Sequence, residues 1–303
     1  MKSYISYLRS IALLFSVFVL PVTSHAQDDV LVVLSKNTSV YHKFYTQLSQ
    51  KLTATYNIDS LYASSVKSSS LDKYKLIITV GTTSAAIINQ YETKAPILYS
   101  LIPQDFYNST INTLSCPGSA CYGVYIEQPT EKYVQLINAI FDNKKTIITP
   151  VTKLNRANVQ RINASAKKIG YSSKNIIITP EDNIPRLLAR GLTDNSVMLA
   201  LPDPDIYNKD TARSIILTAY HKNTPIVAYS QAFSKAGALV SLYSSIDDIA
   251  NQTAIITQHI FSKNQPQQKG YYSTTFSLEI NKAVAHSLNI NIPSSETIQR
   301  KIK

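Results

Sequence analysis

Short runs of β-branched and other apolar residues alternate along the chain with longer segments that repeat apolar residues every three or four positions. The first pattern is typical of strands buried on both faces, and the second is typical of amphipathic helices. The predicted strands are Val30–Ser35, Lys75–Val80, Pro96–Ile102, Tyr122–Gln128, Thr146–Val151, Asn175–Thr179, Ser196–Leu201, Pro225–Ser230 and Ala238–Tyr243. The predicted helices are Ser39–Thr53, Thr83–Tyr91, Pro129–Phe141, Asn155–Ile169, Asp210–Tyr220 and Ser245–Phe261. Strands separated by helices in this way predict an α/β fold built on doubly wound parallel sheets.

The alternation restarts near the middle of the chain. A new strand pattern begins at Thr146, after a helix and the polar segment Asp142–Lys145. A length of 303 residues allows one large domain or two of ordinary size. The restart favours two similar lobes, each with its own sheet.

The N-terminus has the three parts of a secretory signal peptide. Lys2 and Arg9 precede the apolar run Ile11–Val22, and a small-x-small triplet ends at Ala26. A membrane anchor is the alternative, but this run is shorter than the roughly 20 residues that span a bilayer. We therefore expect residues 1–26 to be a signal peptide, cleaved after Ala26 on export to the periplasm.

Composition and motifs narrow the function. The chain has 30 Lys and Arg against 19 Asp and Glu, but these positive charges are scattered and predict no nucleic-acid partner. Cys116 and Cys121 flank a Pro-Gly turn, and export favours a disulfide between them over two free thiols. The sequence has no nucleotide-binding glycine loop, no zinc-protease helix and no hydrolase elbow. We expect no metal, no cofactor and no enzymatic activity.

Polar and aromatic residues gather just after the predicted strands, where open α/β sheets bind their ligands. Gly81 is followed by three hydroxyl residues at a helix start, which suits a bound carboxylate but fits a plain helix cap at least as well. Asp203 and Asp205, each preceded by a proline, fit a rigid loop, a helix cap or an acid–base pair. The candidate ligand-binding residues are Asn37, Thr82, Thr83, Ser84, Tyr99, Glu127, Asp203, Tyr229, Ser230, Gln231 and Phe233.

Six stretches, in order along the chain, carry a resemblance to a known family. They are VGTTSAA (80–86), PILYSLI (96–102), YIEQPTEKYVQLINAIF (125–141), LALPDPDIYN (199–208), TPIVAYSQAFSKAGALVSLYSS (224–245) and FSLEINKAVAHSLNINIP (276–293). The chain resembles a divergent member of the ABC transporter substrate-binding protein family that includes tryptophan- and tyrosine-binding lipoproteins. That family is built on the type 1 periplasmic binding fold.

The resemblance implies an organisation and a set of roles. Three crossings would join two interleaved lobes, one of residues 28–125 and 242–272 and the other of residues 126–241 and 273–303. Thr82, Thr83 and Ser84 would hold a ligand's carboxylate, and Asp203 would meet an ammonium or hydroxyl group across the cleft. Ser230, Gln231 and Phe233 would line the same mouth, and Tyr99 and Tyr229 would supply aromatic walls.

The function implied is that of a monomeric periplasmic protein that closes around a small solute and delivers it to an inner-membrane ABC permease. The solute would be amino-acid-like, or another small polar or aromatic compound. One alternative is a periplasmic sensor that passes its signal to a membrane receptor or kinase. Another is an enzyme on the same scaffold, with Asp203, Asp205 or Glu127 as acid or base.

Overall fold

A computed structural model describes residues 29–68, 71–111, 116–141, 143–153, 156–262 and 265–302; the expected signal peptide lies outside them. The strands form two six-stranded sheets. The first sheet contains β1 (Asp29–Leu34), β2 (Asn57–Tyr62), β3 (Leu76–Val80), β4 (Ile97–Ile102), β5 (Cys121–Tyr125) and β11 (Gly270–Tyr271). The second contains β6 (Thr146–Val151), β7 (Ser173–Ile177), β8 (Ser196–Leu199), β9 (Ile226–Ala228), β10 (Val240–Tyr243) and β12 (Ser277–Ile280).

Both sheets have the same strand order. The first runs β11-β5-β4-β3-β1-β2 and the second runs β12-β10-β9-β8-β6-β7. All pairings are parallel except β10 with β12. This arrangement confirms the predicted fold class, and it puts one topological switch point between β1 and β3 and the other between β6 and β8.

Helices cover the faces of both sheets. They are α1 (Ser39–Leu52), α2 (Thr82–Ile88), α3 (Gln104–Phe106), α4 (Thr130–Ile140), α5 (Arg156–Lys168), α6 (Ile184–Gly191), α7 (Ala212–His221), α8 (Gln231–Ala236), α9 (Ile246–Phe261), α10 (Lys282–Ser287) and α11 (Ser295–Lys301). Each of the predicted strands and helices has a counterpart here. No helix in the described ranges is long and apolar enough to cross a membrane. We call β1–β5, β11, α1–α3 and α9 the first lobe, and the remaining elements the second lobe.

Each sheet has an apolar layer on both faces, as its continuous apolar strands require. In the first lobe, Phe44 and Leu48 of α1 and Ile249 of α9 pack on one face. Ile77 and Tyr99 point to the other face, which α2 covers. The second lobe repeats this arrangement with two further buried clusters. Burial on both faces holds the strand ends of each lobe in fixed positions.

The chain passes between the sheets after β5, after β10 and after β11. One buried side chain joins these three connections. The Gln128 amide nitrogen lies 2.7 Å from Ser244 Oγ, 3.0 Å from the Ser273 carbonyl and 3.2 Å from the Thr275 carbonyl. Its amide oxygen accepts a hydrogen bond from Lys132 Nζ at 3.2 Å. Gln128 therefore fixes the three connections relative to one another.

The two cysteines form the expected disulfide. The bond joins Cys116 in the loop before β5 to Cys121, the first residue of that strand, and spans only five positions of sequence. It constrains a local loop and does not link distant elements.

Candidate functional site

A cleft of about 190 Å³ lies between the lobes, at the switch points of the two sheets. The first lobe supplies Thr82, Pro103, Asp105 and Phe106, and the second lobe supplies Thr152, Pro202, Asp203, Pro204 and Asp205. These residues follow the carboxyl ends of β3, β4, β6 and β8, where a doubly wound sheet binds its ligands. A wider depression of about 690 Å³ is lined by first-lobe residues alone, so it cannot respond to the relative position of the lobes.

Asp203 is a pre-oriented carboxylate on the second-lobe wall. Its Oδ2 accepts hydrogen bonds from Thr152, at 2.9 Å from the hydroxyl and 3.4 Å from the backbone nitrogen. Its Oδ1 accepts one from the backbone nitrogen of Asp205 at 3.1 Å. Burial raises the pKa of the Asp203 carboxyl, and these hydrogen bonds oppose that rise. The switch point thus presents an anchored acidic group to the cleft.

Asp105 stands on the first-lobe wall and is 4% exposed. Neither of its carboxylate oxygens has a hydrogen-bond partner of good geometry within the described part of the chain. Burial raises the pKa of Asp105 to about 6, while Arg161 and Asn158 on α5 favour the charged form. The Arg161 guanidinium lies 3.8 Å away, and the charge of Asp203 adds to the rise.

A polar network beside the cleft connects the two lobes. Gln104 Oε1 accepts hydrogen bonds from Arg161 of the second lobe and from the Tyr272 hydroxyl, the latter at 2.7 Å. The Gln104 backbone nitrogen donates to Glu127 Oε1 at 2.8 Å. Glu127 is 1% exposed, its other oxygen has no partner among the described residues, and burial raises its pKa to about 7. Elements of both lobes therefore meet around Gln104.

The hydroxyl turn after β3 does not present all of its side chains to the cleft. Ser84 is fully buried, donates to the Gly81 carbonyl at 3.0 Å and accepts from Ser35 Oγ at 3.1 Å. Gly81 has a φ of 90°, and a Cβ there would lie 2.7 Å from the Tyr41 hydroxyl. Ser84 therefore fastens the turn to the loop after β1. Thr83 is exposed, and only Thr82 of the three lines the cleft.

Two further candidates of the first lobe lie away from the cleft lining. Asn37 is exposed in the loop after β1, and its Oδ1 lies 2.7 Å from His42 Nε2. Tyr99 is fully buried in the core of the first lobe, where its hydroxyl donates to Asn89 Oδ1 at 3.4 Å. The expected aromatic wall at Tyr99 is thus a core side chain, because the strand alternation turns it toward the helical layer.

The candidates after β9 form a layer behind the second-lobe wall. Phe233 packs edge-to-face on Tyr207 with ring centroids 5.4 Å apart, and Tyr229 lies 5.5 Å from Phe233. Ser230 is the cap residue of α8. Gln231 is exposed, and its amide lies 3.4 Å from the carboxylate of Glu279. These side chains are not among those that line the cleft. Tyr207 is tied to the cleft wall through its backbone nitrogen, which donates to the Asp203 carbonyl at 2.7 Å.

The sequence interpretation missed Asp105, Thr152, Gln104 and Arg161. Asp105 and Gln104 follow Pro103 at the end of β4, so the rule that singled out Asp203 could have found them. Arg161 lies in the middle of a helix, and nothing in its local pattern distinguishes it from a solvated arginine. In the ranges that the structure describes, no group of three or more His, Cys, Asp or Glu side chains is arranged to hold a metal ion.

A cleft between two doubly wound lobes, joined by three connections, defines a two-lobed binding protein. The sequence profile of the family described as ABC transporter substrate binding protein matches residues 45–300, and the chain belongs to this family. No curated protein sequence matches it significantly.

Solved structures agree on the fold. A conserved domain protein from Vibrio cholerae is 20% identical, with a TM-score of 0.65 over 90% of this chain and 98% of its own. An ABC domain in complex with L-Trp from Streptococcus pneumonia is 18% identical, with a TM-score of 0.66 over 91% and 98% of the two chains. A ligand-free, open substrate-binding protein with adhesive properties from Clostridium difficile is 16% identical, with a TM-score of 0.67 over 89% and 97%. The fold is that of type 1 periplasmic binding proteins.

Proposed function

We propose that this protein binds a small molecule in the cleft between its lobes, in the periplasm, and presents it to an inner-membrane ABC permease. One observation carries the proposal: two buried carboxylates, Asp105 and Asp203, reach the same cleft from opposite lobes. A ligand held by both walls interacts with the closed arrangement more strongly than with an open one, so its binding favours closure. The protein acts as a monomer, and the cycle requires no covalent step.

The proposed lobes are residues 28–125 with 242–272, and residues 126–241 with 273–303. The separate sheets and the three passages between them support this division. Strand β10 stays paired in the second sheet as far as Tyr243, which supports a second crossing two residues later than the proposed boundary at residue 242. Gln128, which lies in the first connection and contacts the other two, is at the proposed hinge.

The proposed binding residues are Thr82 and Asp203 from the sequence interpretation, with Asp105, Thr152 and Phe106 added by the structure. All of them line the cleft. Thr152 holds the Asp203 carboxylate in place and adds a hydroxyl of its own. Phe106 and the prolines give the wall its apolar part, as small-molecule sites require.

The test combines two measurements on the mature chain. Native mass spectrometry of freshly purified protein should reveal a small bound molecule, and that molecule should raise the melting temperature when it is added back. Asp203→Asn should lose the rise, and Asp194→Asn, which changes an exposed aspartate of the second lobe, should keep it. Absence of a retained molecule, together with a flat response to amino acids, nucleosides, sugars and small acids, would contradict the proposal.

A further inference from the structure

The 190 Å³ cleft between the lobes is lined by charge of one sign, and the adjoining second-lobe depression, which shares Thr152, Pro204 and Asp205 with it, adds one charge of each sign, Lys153 and Glu181. Among the described residues that line the cleft, Asp105, Asp203 and Asp205 are the ionisable ones, and all three are acidic. The other lining residues are two threonines, three prolines and a phenylalanine. The whole chain has a net charge of +11, so the cleft is an acidic spot in a basic protein. An acidic cleft in a protein of opposite net charge indicates that its carboxylates serve the binding site.

Asp105 is a buried carboxylate with incomplete hydrogen bonding. It is 4% exposed, and neither oxygen has a hydrogen-bond partner of good geometry in the part of the chain that the structure describes. The side chain and backbone of Asn158 lie nearby and favour the charged form, but they do not reach that geometry. The hydrogen bonds of Arg161 Nη2 go to Gln104 Oε1 and Asn158 Oδ1, so the guanidinium reaches Asp105 only as an ion pair at 3.8 Å. A buried charge whose hydrogen bonds are incomplete is costly, which makes a donor supplied by the ligand favourable.

Closure of the cleft also favours a cationic ligand. Asp105 belongs to the first lobe and Asp203 to the second, and the charge of Asp203 already acts on Asp105. One guanidinium, that of Arg161, stands against three carboxylates, so negative charge is in excess. Bringing the walls together without a cation would increase this repulsion. A cation between the walls would turn the repulsion into an attraction that favours closure.

The site offers little to a ligand carboxylate. The Ser84 hydroxyl and backbone nitrogen are both engaged with Ser35, and only Thr82 of the hydroxyl turn lines the cleft. A volume of about 190 Å³ between the two walls suits a small molecule. Phe106 adds an aromatic side chain, a group that commonly accompanies carboxylates around an ammonium.

We propose, building on the function proposed above, that the ligand is a small organic cation whose ammonium or guanidinium group lies between Asp105 and Asp203. The ligand class is that of diamines and guanidino amines, and of basic amino acids with Thr82 as the partner of their carboxylate. Asp105 and Asp203 bind the cationic group directly. Asp205 is exposed at the rim of the cleft, and its negative charge attracts the cation without a direct contact to it.

The first test compares ligands matched in shape and different in charge. The probes are putrescine, cadaverine, agmatine, lysine and arginine as cations, norleucine as the analogue of lysine without the second ammonium, and glutamate as an anion. Isothermal titration calorimetry should show binding of at least one cation. Its affinity should exceed that of norleucine by at least about 30-fold, the usual effect of deleting one partner of a buried charge pair.

The second test uses matched Asp→Asn variants with the cation that binds best. Asp105→Asn and Asp203→Asn should each weaken it by at least about 30-fold. Asp205→Asn should weaken it by less than about fivefold, because rim charges contribute little. Asp194→Asn, outside the cleft, should leave binding unchanged. The melting temperature of each ligand-free variant checks that it is folded.

The outcomes separate this inference from the function on which it rests. Binding of norleucine or glutamate in preference to every cation would overturn the cationic ligand and keep a solute-binding cleft. Failure of all five cations to bind would also overturn it, while the molecule retained in native mass spectrometry would still decide the proposed function. A cation that binds equally well to Asp105→Asn and Asp203→Asn would place its site elsewhere and refute the assignment.

Discussion

Replacement of Glu127 by glutamine should stabilise the protein at neutral and alkaline pH. Glu127 is 1% exposed, and burial raises its pKa to about 7, with the nearby charge of Asp105 adding to the rise. The hydrogen bond from the Gln104 backbone nitrogen and the charge of Arg161 oppose it. A glutamine keeps an acceptor for Gln104 and resembles the protonated acid. The variant therefore isolates the cost of ionising one buried carboxyl.

The magnitude follows from the difference in pKa between the folded and unfolded states. The ordinary pKa of a glutamate is 4.5, and in the folded protein the pKa of Glu127 is about 7. Between these values the folded state holds more protons than the unfolded state, so the contribution of this group falls as pH rises. The loss between pH 5 and pH 8 comes to about 2.5 kcal/mol. The variant should gain about this much relative to the wild type over the same interval.

Urea unfolding of both proteins at pH 5, 6, 7 and 8 measures this difference directly. Glu131→Gln is the matched control, since Glu131 is exposed in the first turn of α4. It should lose only a helix-dipole contribution of about 0.3–1 kcal/mol. A difference between Glu127→Gln and wild type that stays flat, or shrinks, from pH 5 to pH 8 would refute the reasoning.

Three further changes test the scaffold by urea unfolding. Gln128→Leu removes the hydrogen bonds from the first connection to Ser244 of the second and to the Ser273 and Thr275 carbonyls of the third, and should cost at least about 2 kcal/mol, whereas a smaller cost would show that these connections are stable without it. Cys116→Ser with Cys121→Ser should cost about 2 kcal/mol from loop closure, and addition of reductant to the wild type should reproduce it. Ser245→Ala removes a capping box with Asp248 and should cost about 1 kcal/mol, and an unchanged midpoint would contradict this role of the cap.

The interior of each sheet could be predicted from the sequence because its strands are buried on both faces. Strand β3, with the sequence LIITV, is wholly buried and reads as one apolar run. Strand β2, with the sequence NIDSLY, lies at a sheet edge and has no fully buried residue, so it lacks this signal. The short strands β11 and β12 also lie at sheet edges. Edge strands are defined by pairing with a distant segment, which local patterns do not show.

The site could be predicted less completely than the fold. The position of Asp203 follows from a general rule about strand ends, and the structure places it in the cleft. Which neighbouring side chains face the cleft depends on strand alternation and on the loop opposite. Ser84 turns inward because Ser35, 49 positions away, binds it. Arg161 matters because α3 of the other lobe lies beside it. Contacts between residues so far apart in sequence form only in the tertiary structure, so local sequence patterns do not predict them.

Arg161 links the interlobe contacts to the proposed cation site. Its guanidinium lies 3.8 Å from Asp105 and hydrogen-bonds Gln104, so it reaches from the second lobe to the carboxylate that a cationic ligand would bind. The ligand and Arg161 then share one partner. If Arg161 stabilises contact between the lobes in the ligand-free protein, a smaller fraction of the molecules is open to the ligand. The apparent affinity for the ligand then falls in proportion to that fraction. Because Arg161 reaches Asp105 only as an ion pair, without a hydrogen bond, we expect a ligand ammonium with good hydrogen-bond geometry to outcompete it for this carboxylate.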